Sequence, residues 1–198
     1  LEASDRVGGR VKTDVVDGFR LDHGFQVLLT AYPEAQAQLD YNALELRRFQ
    51  PGALLLYADG GQDRIGDPLR DLSSLFPTLF SKAGSLLDKL RILRLNWGLS
   101  SLSIEQIFQR NEISTADVLS QEYGFSSKMI HSFFAPFFSG SFLESELSTS
   151  RRMFDFVFKM FGSGYAAIPY LGMEEISKQM AGGISDRSVS TGAKVTSI

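Results

Sequence analysis

Apolar and polar residues alternate along residues 11–24: Val11, Thr13 and Val15 share one face, and Phe19 and Leu21 resume the alternation after Asp17-Gly18. A two-residue period is that of a half-buried strand, and an Asp-Gly pair between two such runs predicts a hairpin. Pro33 suits an early helical position, so a short helix is expected over 32–39. Strands are expected over 45–49 and 53–57, divided by Pro51-Gly52 and ended by Asp59-Gly60-Gly61. Beyond a loop at Gly66-Asp67-Pro68 the pattern turns helical to about Tyr123. Leu86, Leu90, Leu93 and Trp97 fall on one helical face, with Lys89, Arg91 and Arg94 largely off it. That leucine face is expected to pack on its own domain; the alternative is contact between the helix, with its basic flank, and an anionic membrane surface.

Ser103 to Gln106 and Ser114 to Asp117 each have the spacing of a capping box and predict two short helix starts, the second ending at Gly124. A Phe-rich helix is expected over 150–161, breaking at Gly162-Ser163-Gly164. A short strand over 165–168, a helix over 174–180 and a strand over 188–195, interrupted at Gly192-Ala193, complete the pattern. No internal repeat or low-complexity segment is present.

The chain has 198 residues, enough for one or two domains. Its 43% hydrophobic and 22% charged residues are those of an ordinary soluble globular protein. A net charge of −3 gives no bulk attraction for nucleic acid, so no such partner is expected. The absence of cysteine excludes disulfides, thiolate metal sites and thiol nucleophiles, and two histidines disfavour a His-based metal site. No apolar run reaches bilayer length, and no cleavable leader opens the sequence; the expected compartment is the cytoplasm. Sixteen Phe stand against one Trp. Many lie between Phe125 and Phe161, so this half of the chain builds an aromatic core or surrounds something apolar.

The densest chemistry is in the first ten residues, Leu1-Glu2-Ala3-Ser4-Asp5-Arg6-Val7-Gly8-Gly9-Arg10. A carboxylate at a strand tip can accept hydrogen bonds from both ribose hydroxyls. Two glycines let backbone approach a ligand without a Cβ in the way, and arginine offers a fixed, charged donor fork to phosphate oxygens. The alternative is a solvated strand-end charge followed by an ordinary turn.

This segment resembles the E-A-x-x-x-x-G-G-R motif of the amine oxidase, phytoene desaturase and protoporphyrinogen oxidase superfamily of flavoproteins. Asp22-His23-Gly24-Phe25-Gln26 is similar to the D-x-G stretch that leads that family's chain toward the flavin ring. Ile168-Pro169-Tyr170-Leu171-Gly172-Met173-Glu174-Glu175-Ile176 resembles its P-x-G-G-M-x-x-L stretch, departing at Leu171 where a glycine is usual. Thr191-Gly192-Ala193-Lys194-Val195 resembles the strand that passes the adenine. The acidic residue normally follows a Gly-rich turn by about 20 residues, yet here it stands second, so the chain reads as a fragment.

The resemblance implies a mixed α/β fold. Parts of an FAD/NAD(P)-binding Rossmann-like domain, 1–44 and 165–198, enclose a mainly helical substrate-binding domain, 45–164. It implies FAD as cofactor, held by Glu2, Ala3, Gly8, Gly9, Arg10, Gly24, Phe25, Gln26 and Val195. Met173, Gly172 and Phe137 are candidates for lining the flavin or substrate. The implied parent is an FAD-dependent oxidoreductase passing a hydride from an apolar substrate or amine to flavin. Two alternatives are a non-catalytic fragment without stable FAD binding and a flavin-dependent isomerase of the carotenoid type.

The run from Phe133 to Phe142 is expected to be core packing around a proline bend, with a cavity wall for an apolar substrate as the other option. Arg151-Arg152 is expected to be a solvated helix start, His23 a backbone-bonded loop residue and His131 a satisfied buried group. No Ser-His-Asp order, paired-carboxylate pattern or metal spacing stands out. That suits a flavoenzyme, where the cofactor brings the chemistry.

Overall fold

The fold is given by a computed structural model, which describes residues 1–24, 27–68, 70–185 and 188–197. The chain divides into two units, Leu1–Phe49 with Gly164–Ile198, and Gln50–Ser163.

In the first unit, β1 (Thr13–Val16) and β2 (Phe19–Asp22) form the expected hairpin, with Val16 opposite Phe19. Asp17 and Gly18 both take positive φ, 51° and 82°, the backbone that a tight two-residue hairpin turn requires. The alternation predicts the element but not a partner, because Val15, Phe19 and Leu21 are all exposed. A second sheet has the order β3-β7-β4, from β3 (Leu28–Leu29), β4 (Arg47–Arg48) and β7 (Ala166–Ile168). The strands expected over 45–49 and 165–168 thus form, shortened. Leu28, Leu29, Leu44, Ala167 and Met173 are buried and supply this unit's apolar interior. Two helices flank the sheet in sequence, α1 (Pro33–Gln38), with Pro33 in its first turn as expected, and α9 (Glu174–Gly182).

Every pairing among the described strands is antiparallel, whereas a doubly wound nucleotide-binding sheet is mostly parallel. The strand expected over 188–195 does not form among the described residues there. Glu2 N–H donates to the Ser190 carbonyl, while Ala193 and Gly192 donate to the carbonyls of Glu2 and Ser4. This irregular register, with Gly192 at φ 68°, satisfies the backbone without the repeat of a ladder.

In the second unit, β5 (Gly52–Leu56) pairs with β6 (Gln62–Gly66). The sequence does not announce β6, since Ile65 is its one large apolar residue; pairing with β5 forms it. Helix α2 (Leu75–Phe80) precedes α3 (Leu86–Ser100), which starts at a reciprocal capping box between Ser85 and Asp88. The face that α3 buries is not the expected one. Leu95 and Leu99 are buried with Asp88, whereas Leu86, Leu90, Leu93 and Trp97 are exposed. Both stripes have helical spacing, so periodicity alone does not choose between them.

The Ser103–Gln106 capping box opens α4 (Ile104–Phe108) as expected. Ser114 Oγ accepts from the Asp117 N–H at the start of α5 (Thr115–Asp117), which runs into a π-helical turn, Val118–Glu122. Gly124, at φ 70°, follows that turn. Helix α6 (Ser127–Met129), a π-helical turn Ile130–Phe134 and α7 (Ala135–Phe142) follow, then α8 (Arg151–Ser163).

Phe134, Phe138 and Phe154 are buried at the centre of this unit. Ring centroids lie 4.7 Å apart for Phe125–Phe134 and 4.8 Å for Phe138–Phe154. Such aromatic pairs add about 0.5–1.5 kcal/mol each beyond area burial. The Phe-rich run is therefore core, with Phe137 at its half-covered margin against Phe133 and Phe161. Arg151 is no solvated helix start: it is buried and reaches Glu122 at 2.5 Å. His131 is exposed, its Nδ1 bonded to the Ser127 carbonyl.

Candidate functional site

In the first unit two residues of the opening segment, Arg6 and Gly8, meet the first turn of α9 at Glu174 and Ser177. Gly8 adopts φ 112°, and a Cβ there would collide with the Val11 carbonyl and approach Ser177 Oγ to 3.2 Å. The Val11 N–H donates to Gly8 O at 2.8 Å, closing the loop. Gly8 is thus needed for close packing on α9. Gly9, at φ 55°, is different: nothing lies within 4 Å of where its Cβ would stand. One glycine faces protein and the next faces open space. Arg10 beside it is exposed.

Glu2 sits at the edge of the same unit, half-buried, with its backbone tied to Ser190 and Ala193. Ser4 N–H and Oγ–H both donate to Glu2 Oε1 at 2.7 Å. These two donors hold the Glu2 carboxyl below the usual carboxylate range. The group is therefore ionised and oriented before any ligand arrives. Ala3 is exposed between them, and Val195 is exposed beyond the segment that pairs with Glu2.

The PYLGM segment meets the hairpin through a buried polar cluster. Gly172 takes φ 103°, and the space a Cβ would fill is occupied by the Thr13 side chain. Thr13 Oγ–H donates to Asp22 Oδ1 at 2.5 Å and accepts from the Glu174 N–H at 3.1 Å. Asp22 Oδ1 also accepts from the Met173 N–H at 2.9 Å. Two N–H groups at the start of α9 thus find hairpin acceptors, as orphan donors at a helix start must.

Glu174 is buried, and its Oε2 accepts from the Thr13 N–H at 3.1 Å and from Arg6 at 3.2 Å. Its Oε1 is buried without a hydrogen-bond partner among the described residues. Arg6 bridges onward to Asp14 at 2.5 Å, and Asp14 Oδ2 lies 2.7 Å from His23 Nε2. His23 therefore has a carboxylate partner besides its backbone bond to Lys12. His23 and Arg6 together pull the Asp14 carboxyl below its usual range.

Among the sequence-derived candidates, Gly8, Gly172 and Met173 lie around the first turn of α9, with Glu2, Ala3, Gly9, Arg10 and Val195 on the same unit. Gly24 is exposed at φ 72° after the hairpin; Phe25 and Gln26 lie outside the described residues. Phe137 belongs to the other unit. Sequence reading missed Arg6, Thr13, Asp22 and Glu174. Arg6 stands at an unspecified motif position, and Glu174 looks like an ordinary acid at a helix start. The signal that marks Glu174 is its place directly after Gly172-Met173, the buried end of the turn that Thr13 packs against.

The model of the flavin-containing amine oxidoreductase family matches residues 1–198. A solved structure of wild-type putrescine oxidase bound to putrescine is similar over 96% of this chain, at 20% sequence identity and a TM-score of 0.58. At that identity the likeness establishes a shared fold. The match covers 44% of the putrescine oxidase chain, so this chain spans under half its length. No curated protein matches. The family match over the full chain places the protein: the chain belongs to the flavin-containing amine oxidoreductase family.

Proposed function

We propose that this chain carries the adenosine-diphosphate end of an FAD site in an oxidoreductase that takes a hydride from an amine or another small apolar molecule. The observation that supports this most is the contrast between Gly8 and Gly9. Gly8 is locked against α9, while the backbone of Gly9 looks into space that no protein atom fills. FAD fits that arrangement. The fixed Glu2 carboxylate suits two ribose hydroxyls, and the Gly8-Gly9-Arg10 backbone and guanidinium suit a pyrophosphate. In this reading Ala3 and Val195 serve the adenosine side, and Gly24, Phe25, Gln26, Gly172 and Met173 remain candidates for the ring.

Bound flavin supplies the hydride acceptor, so the chain needs no acid or base of its own at the reacting carbon. The work of these residues is orientation. Arg6, Asp14 and Glu174 tie the hairpin, the diglycine loop and α9 into one rigid platform, and Thr13 fixes the turn at Gly172.

Titration of FAD into the purified chain, followed by flavin fluorescence, tests the reading. Glu2→Ala and Arg10→Ala are each expected to weaken binding about tenfold or more, since about 1.4 kcal/mol per contact is a factor of ten. Unchanged affinity in both variants overturns the assignment. With an amine as substrate, product two hydrogens lighter supports oxidation, and product of unchanged mass supports the isomerase alternative. A second reading, in which this chain alone holds flavin weakly, is supported by its spanning 44% of the putrescine oxidase chain. Tight binding by the isolated chain removes it.

A further inference from the structure

The second unit has an open surface pocket of about 430 Å³ that the flavin reading does not use, with exposed Arg94, Trp97 and Gly98 at its mouth. One wall is the face of α3 that carries Arg91, Arg94 and Gly98, with Trp97 beside it; the opposite wall is Arg110, Glu122 and Tyr123. Leu95, Leu99 and Leu102 supply its apolar lining. Its size falls within the range of about 300–1,000 Å³ common for small-molecule sites, and a few charged groups over an apolar lining is their usual make-up.

The charges around the cavity do not balance. Arg110 is matched by Asp155 at 2.7 Å, Glu122 by Arg151 at 2.5 Å, and Arg91 by Asp88 at 3.4 Å. Arg94 makes no ion pair or hydrogen bond among the described residues and stands exposed at the pocket's open side, its guanidinium accessible to a ligand from solvent. Four guanidinium groups therefore meet three carboxylates, and the unmatched positive charge is one that lines the cavity. Tyr123, which bonds Asp155 at 2.7 Å, stays neutral, its hydroxyl pushed up to about 12 by burial. A dication would add to the repulsion, and a dianion would exceed the single open charge.

Gly98 is exposed at the pocket's mouth, and nothing lies within 4 Å of where its Cβ would be, so a larger side chain there would stand in the entrance without displacing packed protein.

We propose that this cavity binds an amphiphilic monocarboxylate, its carboxylate on Arg94 and its apolar chain or ring along Leu95, Leu99, Leu102 and Trp97. The site is independent of flavin and is tested without it. Trp97 is the one tryptophan in the sequence, so its emission reports occupancy, and calorimetry gives the affinity. Octanoate is expected to bind saturably and shift Trp97 emission to the blue. Octanol, which lacks the charge, and inorganic phosphate, which lacks the chain, are each expected to bind about tenfold weaker or worse, the loss of one charge-assisted contact or of the apolar burial.

Arg94→Gln is expected to reduce octanoate affinity about tenfold or more. Gly98→Leu fills the space and is expected to abolish binding without lowering the melting temperature, because leucine favours the helix that glycine weakens. Equal binding of octanol, non-saturating heats, or octanoate affinity indifferent to both substitutions overturns the proposal.

Discussion

Replacing Gly8 and Gly9 separately by alanine tests the geometry on which the flavin site depends, because the two residues are adjacent in sequence and opposite in environment. At Gly8 the new methyl meets the Val11 carbonyl and lies 3.2 Å from Ser177 Oγ, on a backbone at φ 112°. Holding alanine in that region costs about 1–3 kcal/mol. Forcing a methyl into filled space costs a further 1–3 kcal/mol or so. The loop cannot relax cheaply, since Val11 N–H is bonded to Gly8 O.

The expected loss for Gly8→Ala is therefore about 2–6 kcal/mol, a large share of the roughly 5–15 kcal/mol that holds a domain folded. At about 2–4 °C per kcal/mol for a chain of this size, the midpoint of thermal unfolding followed by circular dichroism should drop by roughly 4–24 °C. At Gly9 the methyl enters open space, and the left-handed backbone alone costs about 1–2 kcal/mol. Gly9→Ala should stay within several degrees of the parent yet bind FAD more weakly, because the methyl stands where the pyrophosphate would approach. Equal melting temperatures for the parent and Gly8→Ala would refute the packing argument. Normal FAD affinity in a folded Gly9→Ala would refute the ligand-facing role.

Other outcomes are equally specific. Asp88 is buried; burial alone would raise its carboxyl, but bonds from Ser126 and Ser85 outweigh it and hold the group below the usual carboxylate range. Its contribution is fully present above the unfolded value near 4 and is lost as pH falls through the lower folded value. Urea midpoints should therefore fall on acidification, and Asp88→Asn should cost about 2–4 kcal/mol at neutral pH while flattening that slope. Asp155 runs the other way: burial raises its carboxyl against the pull of Tyr123, Arg110 and Arg151, so its share is present in acid and lost as pH rises through the folded value. On α3, Leu95→Ala should cost about 2–5 kcal/mol, whereas Leu90→Gln and Leu93→Gln should each change stability by roughly 0.5 kcal/mol or less. The reverse order in unfolding experiments would contradict the face that the structure buries.

Local rules were written plainly in the chain wherever one residue type has one backbone use. Asp17-Gly18 made the hairpin, Pro33 opened α1, Ser103 and Gln106 capped α4, and Gly124 followed the π-helical turn, because each effect acts within a few bonds. Glu2 and Gly8-Gly9-Arg10 could likewise be matched as a motif because they lie within one short run, while their proposed ligand chemistry is a reading that the variants above test. Partners were not legible. Two stripes of α3 had the same period, and tertiary packing alone selected Leu95 and Leu99 over Leu90 and Trp97. β6 exists because β5 lies beside it, and residues 188–195 fail to form a strand because their backbone bonds go to Glu2 and Ser4 out of register. The Arg6–Glu174–Thr13 cluster joins positions far apart in sequence, and no local pattern encodes a contact whose energy appears only when the chain has closed. Sequence settles what a segment can do with its own neighbours; burial, pairing and charge balance arise from neighbours that the fold brings.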